Sequence, residues 1–155
     1  MRLGNHLVYD LLETADFLLS VRSGRANLLK VLRRRAVSSA YYAVFHAVCF
    51  VVADETVGWS SDASLVDPMF RTPDHRQVKD KLTKSTSPPL KRLGITLSEL
   101  QDRRHDSDYA PPRYNPAHVE VLALVQQARD AVQLIEGLNS EQRRVVAVTL
   151  LAKPR

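Results

Sequence analysis

The sequence predicts an all-α protein, an antiparallel bundle of four to five helices, and three observations support this prediction. Apolar residues return every three or four positions along several segments, which is the spacing that lines one face of a helix. The 155 residues include only 5 glycines, too few for many tight β-turns. No segment shows the alternation of apolar and polar residues that marks a half-buried strand. With 45% apolar and 25% charged residues, we expect a single domain over residues 1–155.

The N-terminal half is predicted to hold two helices and a long loop. The longer helix is expected over residues 27–53, and Gly24 separates it from the first. Residues 54–74 contain Pro68, Pro73 and a cluster of serine and aspartate, so we expect an unusually long loop there. The first helix is expected over residues 6–21, where one face carries Leu7, Leu11, Leu12, Ala15, Leu18 and Leu19.

The C-terminal half is predicted to hold four helices, the first three separated by proline-containing segments. Gly94 is expected to interrupt the second of these four. Pro116 suits the first position of the third helix, with Asn115 as its N-cap. We expect the core to lie within residues 6–138. The four helices are expected over residues 74–84, 90–107, 116 to about 138 and, beginning at Asn139 or Ser140, 139–151.

A polar stripe runs along the second predicted helix, in "RRAVSSAYYAVFHAVCF", residues 34–50. Arg35, Ser39, Tyr42 and His46 fall within about 60° of one another on a helix. A neighbouring stripe of alanines lets another helix approach closely. Buried hydroxyl and imidazole groups need hydrogen-bond partners. Two interpretations follow: these groups tie the bundle together, or they line a cleft.

A second polar cluster, "LQDRRHDSDYAPP", occupies residues 100–112. Arg104 and Asp108 are four residues apart, so they can pair on one face of a helix. A guanidinium held by a carboxylate, beside Tyr109 and in one solvent-reachable pocket with His46, forms an anion site with groups for proton transfer. The other interpretation is a solvated helix end. We expect the cleft to be lined also by Arg35, Ser39, Tyr42 and His105.

The charge balance permits nucleic-acid binding without requiring it. Lys and Arg outnumber Asp and Glu by 22 to 17, and the formal net charge is +5. If RNA is the partner, we expect Arg33, Arg34 and Arg103 to attract its backbone.

Other features predict a cytoplasmic protein without a metal or another cofactor. Cys49 is the only cysteine and lies in an apolar run, which favours a buried thiol in a reducing compartment. We see no secretory signal and expect no membrane-spanning segment. The five histidines lack the paired spacing of a metal site, and no glycine-rich phosphate loop is present.

Two motifs resemble the HEPN superfamily of prokaryotic helical bundles. Residues 35–47, "RAVSSAYYAVFHA", match the R-x-x-S-x-A-Y-Y-A-x-F-H-A motif of one branch, and "RHDSDY", residues 104–109, matches its later R-x-x-A-D-Y except that Ser107 replaces alanine. The resemblance covers roughly residues 6–138. It implies a bundle of four or five helices, usually dimeric, with a cleft at or near the dimer interface.

The resemblance also implies a function. Many HEPN proteins are metal-independent ribonucleases of toxin–antitoxin, abortive-infection and CRISPR-linked systems, often encoded beside a minimal nucleotidyltransferase. Their catalytic motif is an arginine, four to six residues, then a histidine. Here Arg104 is followed at those distances by Tyr109, Ala110 and Pro111. The spacing from Arg113 to His118 fits the motif, but we interpret it as a chance match.

Three functional hypotheses follow. The first is a non-catalytic or weakly active dimer, of a toxin–antitoxin or phage-defence type, that binds RNA, a nucleotide or a partner such as a nucleotidyltransferase. The second is a metal-independent endoribonuclease in which Arg104 holds the phosphate, Asp108 holds Arg104, and His46 or Tyr109 transfers protons. The third is a helical bundle whose polar stripe is purely structural.

Overall fold

The computed structural model describes residues 2–153, and these residues form α-helices and no strand. The predicted all-α helical bundle is therefore confirmed. Within residues 2–153, the first, second, fifth and sixth helices are longer than the other three. The helices are α1 His6–Ser20, α2 Ala26–Val57, α3 Ala63–Phe70, α4 His75–Thr83, α5 Pro88–Tyr109, α6 His118–Glu136 and α7 Ser140–Leu151.

The central element is α2, which contacts α1, α3, α5, α6 and α7. Its predicted alanine stripe is completely buried, because small side chains let the surrounding helices pack close to its backbone. The aromatic and β-branched residues of the adjacent stripe are buried as well. The alanine stripe consists of Ala36, Ala40, Ala43 and Ala47, and the adjacent one of Val37, Tyr41, Val44 and Val48.

By length and mean hydropathy, α2 is also the one helix among residues 2–153 that would be able to cross a membrane. Within the bundle, 83% of its most apolar window is buried against the other helices. The core helix of a bundle has the same properties, so its apolar character is accounted for by packing.

The expected loop over residues 54–74 is wrong. The second helix continues to Val57 and ends at Gly58, whose φ of 82° lies in the left-handed region that favours glycine. A further helix, α3, then begins after Asp62, which caps it by accepting a hydrogen bond from the N–H of Ser64. The serine–aspartate cluster is thus a helix start, and α3 contains Pro68.

The expected break at Gly94 is also wrong, because α5 runs without interruption from Pro88 to Tyr109. Gly94 is buried where α5 packs against α4. A Cβ atom at this position would lie 2.3 Å from the backbone nitrogen of Thr83 and 2.6 Å from the carbonyl carbon of Leu82. The glycine therefore permits a close approach of two helix backbones.

The start of α6 differs from its prediction by two residues. The helix begins at His118 and not at Pro116, and the carboxylate of Glu120 accepts a hydrogen bond from the N–H of Ala117 at 3.0 Å. That contact, from the third helical residue back to the residue before the helix, fixes the observed start. Asn115 therefore lies before the helix and does not cap it.

The last helix, α7, packs onto the core and is capped by Asn139, one of the two predicted positions. The Asn139 side chain accepts from the N–H of Gln142 at 2.9 Å, and the Gln142 side chain accepts from the N–H of Asn139 at 3.0 Å. Val146 and Leu150 on α7 belong to the buried core. The core of the described chain thus extends past residue 138.

Candidate functional site

The candidate site is centred on the carboxylate of Asp108, near the end of α5. Arg35 donates to its Oδ1 at 2.5 Å, and the Ser38 hydroxyl donates to the same oxygen at 2.5 Å. Arg104, one turn earlier on α5, donates to Oδ2 at 3.2 Å. We call Arg35, Ser38, Arg104 and Asp108 the Asp108 cluster. The cluster joins the segments 35–47 and 104–109, which carry the two motifs that resemble the HEPN superfamily. Its serine is Ser38 and not the predicted Ser39.

The hydrogen bonds of the cluster keep its groups charged. Burial by itself would raise the pKa of Asp108, but the hydrogen bonds from Ser38 and Arg104 and the charge of Arg35 hold that pKa below its ordinary value. Burial would lower the pKa of Arg104, but its hydrogen bond and charge interaction with Asp108 raise that pKa instead. Two guanidiniums around one carboxylate leave one net positive charge.

Arg104 also lies against a pair of tyrosines from α2. Its guanidinium carbon is 5.3 Å from the ring centre of Tyr41 and 5.7 Å from that of Tyr42, which is cation–π distance. The Nε atom of Arg104 is buried and has no hydrogen-bond partner among residues 2–153. Its position is therefore fixed by the two rings and by Asp108.

His75, the first residue of α4, is a site residue that the sequence analysis missed. Its Nδ1 lies 2.6 Å from the hydroxyl of Tyr41, and its ring stacks on Phe45 with the centres 3.9 Å apart. Burial raises the pKa of Tyr41, so the phenol keeps its proton at neutral pH. The phenol donates to Nδ1 when the imidazole carries its proton on Nε2, and it accepts from Nδ1 in the other tautomer. Asp74 caps α4 by accepting hydrogen bonds from the N–H groups of Arg76 and Gln77, but nothing local predicted that His75 would reach Tyr41.

A groove of about 470 Å³ lies beside the tyrosine pair, between α2 and the α3–α4 segment. We call it the histidine groove because His46 and His75 both line it. The ring of His46 stacks on Phe70, with centres 5.4 Å apart and planes within 5°. Phe45, Cys49, Phe70, Arg71, Thr72, Pro73 and Asp74 complete the lining.

Arg104 does not line the histidine groove, so the expectation that Arg104 and His46 share one pocket is not met. Tyr42 stands next to both: its ring centre is 6.0 Å from that of His46 and 5.7 Å from the Arg104 guanidinium carbon. The reason is helical geometry. His46 lies three turns of α2 beyond Arg35, so it reaches the neighbouring groove and not the cluster.

The remaining predicted site residues lie outside the cluster. Tyr109 is 69% exposed and lies beside the exposed His105, with the ring centres 4.9 Å apart and the planes tilted by 48°. Arg103 is exposed on the same helix end. Arg33 lines a separate cavity together with His118.

Arg34, a predicted RNA contact, donates hydrogen bonds to backbone carbonyls at the end of α5. Its Nε donates to the carbonyl of Ser107 at 2.5 Å and its Nη2 to that of Ala110 at 2.7 Å, with a longer bond to Pro111. The last carbonyls of a helix have no partner within the helix. The planar guanidinium of Arg34 supplies that partner from α2.

We expect Arg34→Lys to destabilise the protein by about 1–3 kcal/mol, because an ammonium group cannot donate in the fork geometry that two or three carbonyls accept. Urea unfolding followed by circular dichroism measures the change. The exposed Arg103→Lys is the control and should leave the midpoint unchanged. Equal midpoints for wild type and Arg34→Lys would show that the carbonyls are satisfied without the guanidinium.

The histidine groove makes stability depend on pH. Burial lowers the pKa of His46 and of His75, the charge of His75 lowers the first further, and Arg104 lowers the second further. In the unfolded chain the two histidines bind protons around their ordinary pKa of 6.5, whereas in the folded groove they bind protons only at a lower pH. Stability is therefore complete above that pH and falls as the pH drops below it.

We expect the urea midpoint to decrease between pH 7.5 and pH 5, and the double variant His46→Gln/His75→Gln to flatten that dependence. His6→Gln, at an exposed position on α1, is the matched control and should keep the wild-type slope. A double variant that retains the full slope would place the titrating groups elsewhere.

Among residues 2–153, no three or more histidine, cysteine, aspartate and glutamate side chains are close enough to hold a metal ion. Burial raises the pKa of the Cys49 thiol to about 12, so it is not a thiolate nucleophile at neutral pH.

Compared with protein-family models, curated proteins and solved structures, the chain gives no significant match. The chemistry of this site must therefore be judged from its own residues.

Proposed function

We propose that this protein is a HEPN-like module that binds RNA or a nucleotide, with a phosphate group held at the Asp108 cluster. One observation carries the proposal: two guanidiniums from different helices are held on a single carboxylate, and the excess positive charge is accessible. The side chain of Arg35 is 53% exposed, whereas that of Arg104 is 14% exposed. Arg35 can thus reach a phosphate from solvent while Arg104 forms the floor beneath it.

The histidine groove supports the proposal because its character differs from that of the cluster. Its two imidazoles are neutral at pH 7, since burial lowers their pKa values. Arg71 and Asp74 contribute one charge of each sign. A groove with no net charge and with aromatic rings suits a base, since unstacked RNA bases are bound by aromatic stacking and by hydrogen bonds to their edges. We assign the phosphate to the cluster and an adjacent base to the groove.

Fluorescence anisotropy with a labelled single-stranded RNA tests the proposal. We expect Arg35→Ala and Arg104→Ala each to weaken binding about tenfold or more, since a charge-assisted contact contributes about 1.5–3 kcal/mol. The logarithm of the affinity should also depend less steeply on salt in both variants. Arg92→Ala removes an exposed arginine from the same helix and is the control. Equal losses in all three variants, or none, would contradict a localised phosphate site.

A second candidate function, a metal-independent endoribonuclease, is favoured by His75. This imidazole hydrogen-bonds to Tyr41, whose ring lies against Arg104. HEPN ribonucleases use an arginine and a histidine for catalysis. Here the two residues come from different helices and not from one motif. Incubation with RNA in the presence of a chelator, followed by analysis of 3′ ends, should give 2′,3′-cyclic phosphates that His75→Ala abolishes. If the RNA stays intact at micromolar protein concentration, the endoribonuclease function is contradicted and only the binding function remains.

The biological setting of the proposal rests on the HEPN resemblance. It comprises a homodimer, a cytoplasmic location, a role in toxin–antitoxin or phage-defence systems and a nucleotidyltransferase-type partner. Light scattering tests the first of these, and a species of 17.5 kDa at all concentrations would contradict the dimer.

A further inference from the structure

A third cavity, separate from the Asp108 cluster and the histidine groove, lies where the α1–α2 connection meets the start of α6. Its volume is about 340 Å³, at the small end of the range for small-molecule sites. Leu18, Leu19 and Leu29 form an apolar wall, and Arg22 and Arg33 supply the charge. No carboxylate lines it.

Arg33 is the unusual residue of this cavity. Five arginines among residues 2–153 are not fully exposed, and four of them have a partner. The partners are Ser107 and Ala110 carbonyls for Arg34, Asp108 for Arg104, Asp16 for Arg129, and Asp54 and Glu55 for Arg143. Arg33 alone has neither a carboxylate nor a carbonyl among the described residues. Its guanidinium is therefore free to pair with a bound anion.

The surroundings of Arg33 add to its attraction for an anion. Arg22, from the α1–α2 connection, lines the same cavity. His118 is the first residue of α6 and also lines it, so the partial positive charge of a 19-residue helix lies at the rim. The leucine wall, however, makes no favourable contact with a bare inorganic ion. An anion with an apolar body makes use of both parts.

We propose that this cavity binds a small organic anion, with its phosphate or carboxylate between Arg22 and Arg33 and its apolar part against Leu18, Leu19 and Leu29. The site shares no residue with the proposed RNA site. Either one can therefore fail without the other.

The experiment uses hexyl phosphate, hexanoate, inorganic phosphate and hexanol as probes at constant pH and ionic strength. The readouts are the melting temperature and the imidazole proton resonances of His118. We expect one or both hexyl anions to raise the melting temperature and to shift His118, with hexanol and inorganic phosphate clearly weaker at equal concentration. The stronger of the two hexyl anions identifies the head group.

Arg33→Gln should weaken binding of the hexyl anions about tenfold or more while remaining folded, as its unliganded melting temperature will show. Arg25→Gln, at the exposed residue before α2, is the matched control and should bind as wild type does. If Arg33→Gln gives a poor fold, Arg22→Gln provides the same test from the connecting segment. The proposal is overturned if neither hexyl anion shifts His118, if inorganic phosphate binds equally well, or if both cavity variants bind normally.

Discussion

Replacing Gly94 by alanine is expected to destabilise the protein by more than about 3 kcal/mol, above the usual cost of overpacking a core. The added methyl group would meet backbone atoms of α4, at 2.3 Å from Thr83 N and 2.6 Å from Leu82 C, and backbone cannot rotate away as a side chain does. Separating α4 from α5 would also disturb His75 at the start of α4. The gain of about 1 kcal/mol in helix propensity is too small to compensate.

Urea unfolding measures this effect, and Gly24→Ala is the matched control. A Cβ at Gly24 meets no heavy atom within 4 Å, so that substitution should leave stability nearly unchanged. A Gly94→Ala protein as stable as wild type would show that α4 and α5 pack less closely than described here.

Replacing Asp108 by alanine is expected to have the second largest effect, a loss of about 2–4 kcal/mol of stability. The substitution removes three hydrogen bonds at once, from Arg35, Ser38 and Arg104. It leaves the Arg104 guanidinium, whose side chain is 14% exposed, without its carboxylate. Differential scanning calorimetry or urea unfolding measures the loss.

The same variant separates a positioned site from simple charge attraction. Asp108→Ala makes the protein more basic by one charge, so long-range attraction alone predicts tighter RNA binding. We expect weaker binding, because Arg35 and Arg104 lose the group that positions them. Asp106→Ala changes the net charge equally at an exposed position of α5 and should bind RNA at least as well as wild type. Tighter binding by both variants would mean that Asp108 positions nothing.

The helices were predictable because their causes are local. Apolar spacing placed α1 and the alanine stripe of α2, and Asn139 marked the start of α7. Glycine and proline were misread, since their effect depends on tertiary packing. Gly94 weakens an isolated helix but here permits a close contact between two helices, and Pro68 lies inside a short helix that Asp62 caps.

The site was predictable where it depends on positions within one helix. Arg104 and Asp108 form the expected pair, and Arg35 joins them as its place in the first motif suggests. The contribution of His75 depends on how α4 packs against α5, which brings the His75 side chain to Tyr41 and Phe45 of α2, and no local pattern records that packing. The same holds for Arg34, whose carbonyl partners lie more than seventy residues further along the chain.

The central claim, that a phosphate binds at the Asp108 cluster, is tested most directly by following the arginine Nε–H resonances in a ¹⁵N-labelled sample titrated with single-stranded RNA. We predict that the signals of Arg35 and Arg104 shift first and most, while those of Arg34 and Arg143, held by carbonyls and carboxylates, stay in place. Shifts confined to exposed arginines such as Arg92 and Arg144, with Arg35 and Arg104 unmoved, would contradict the claim.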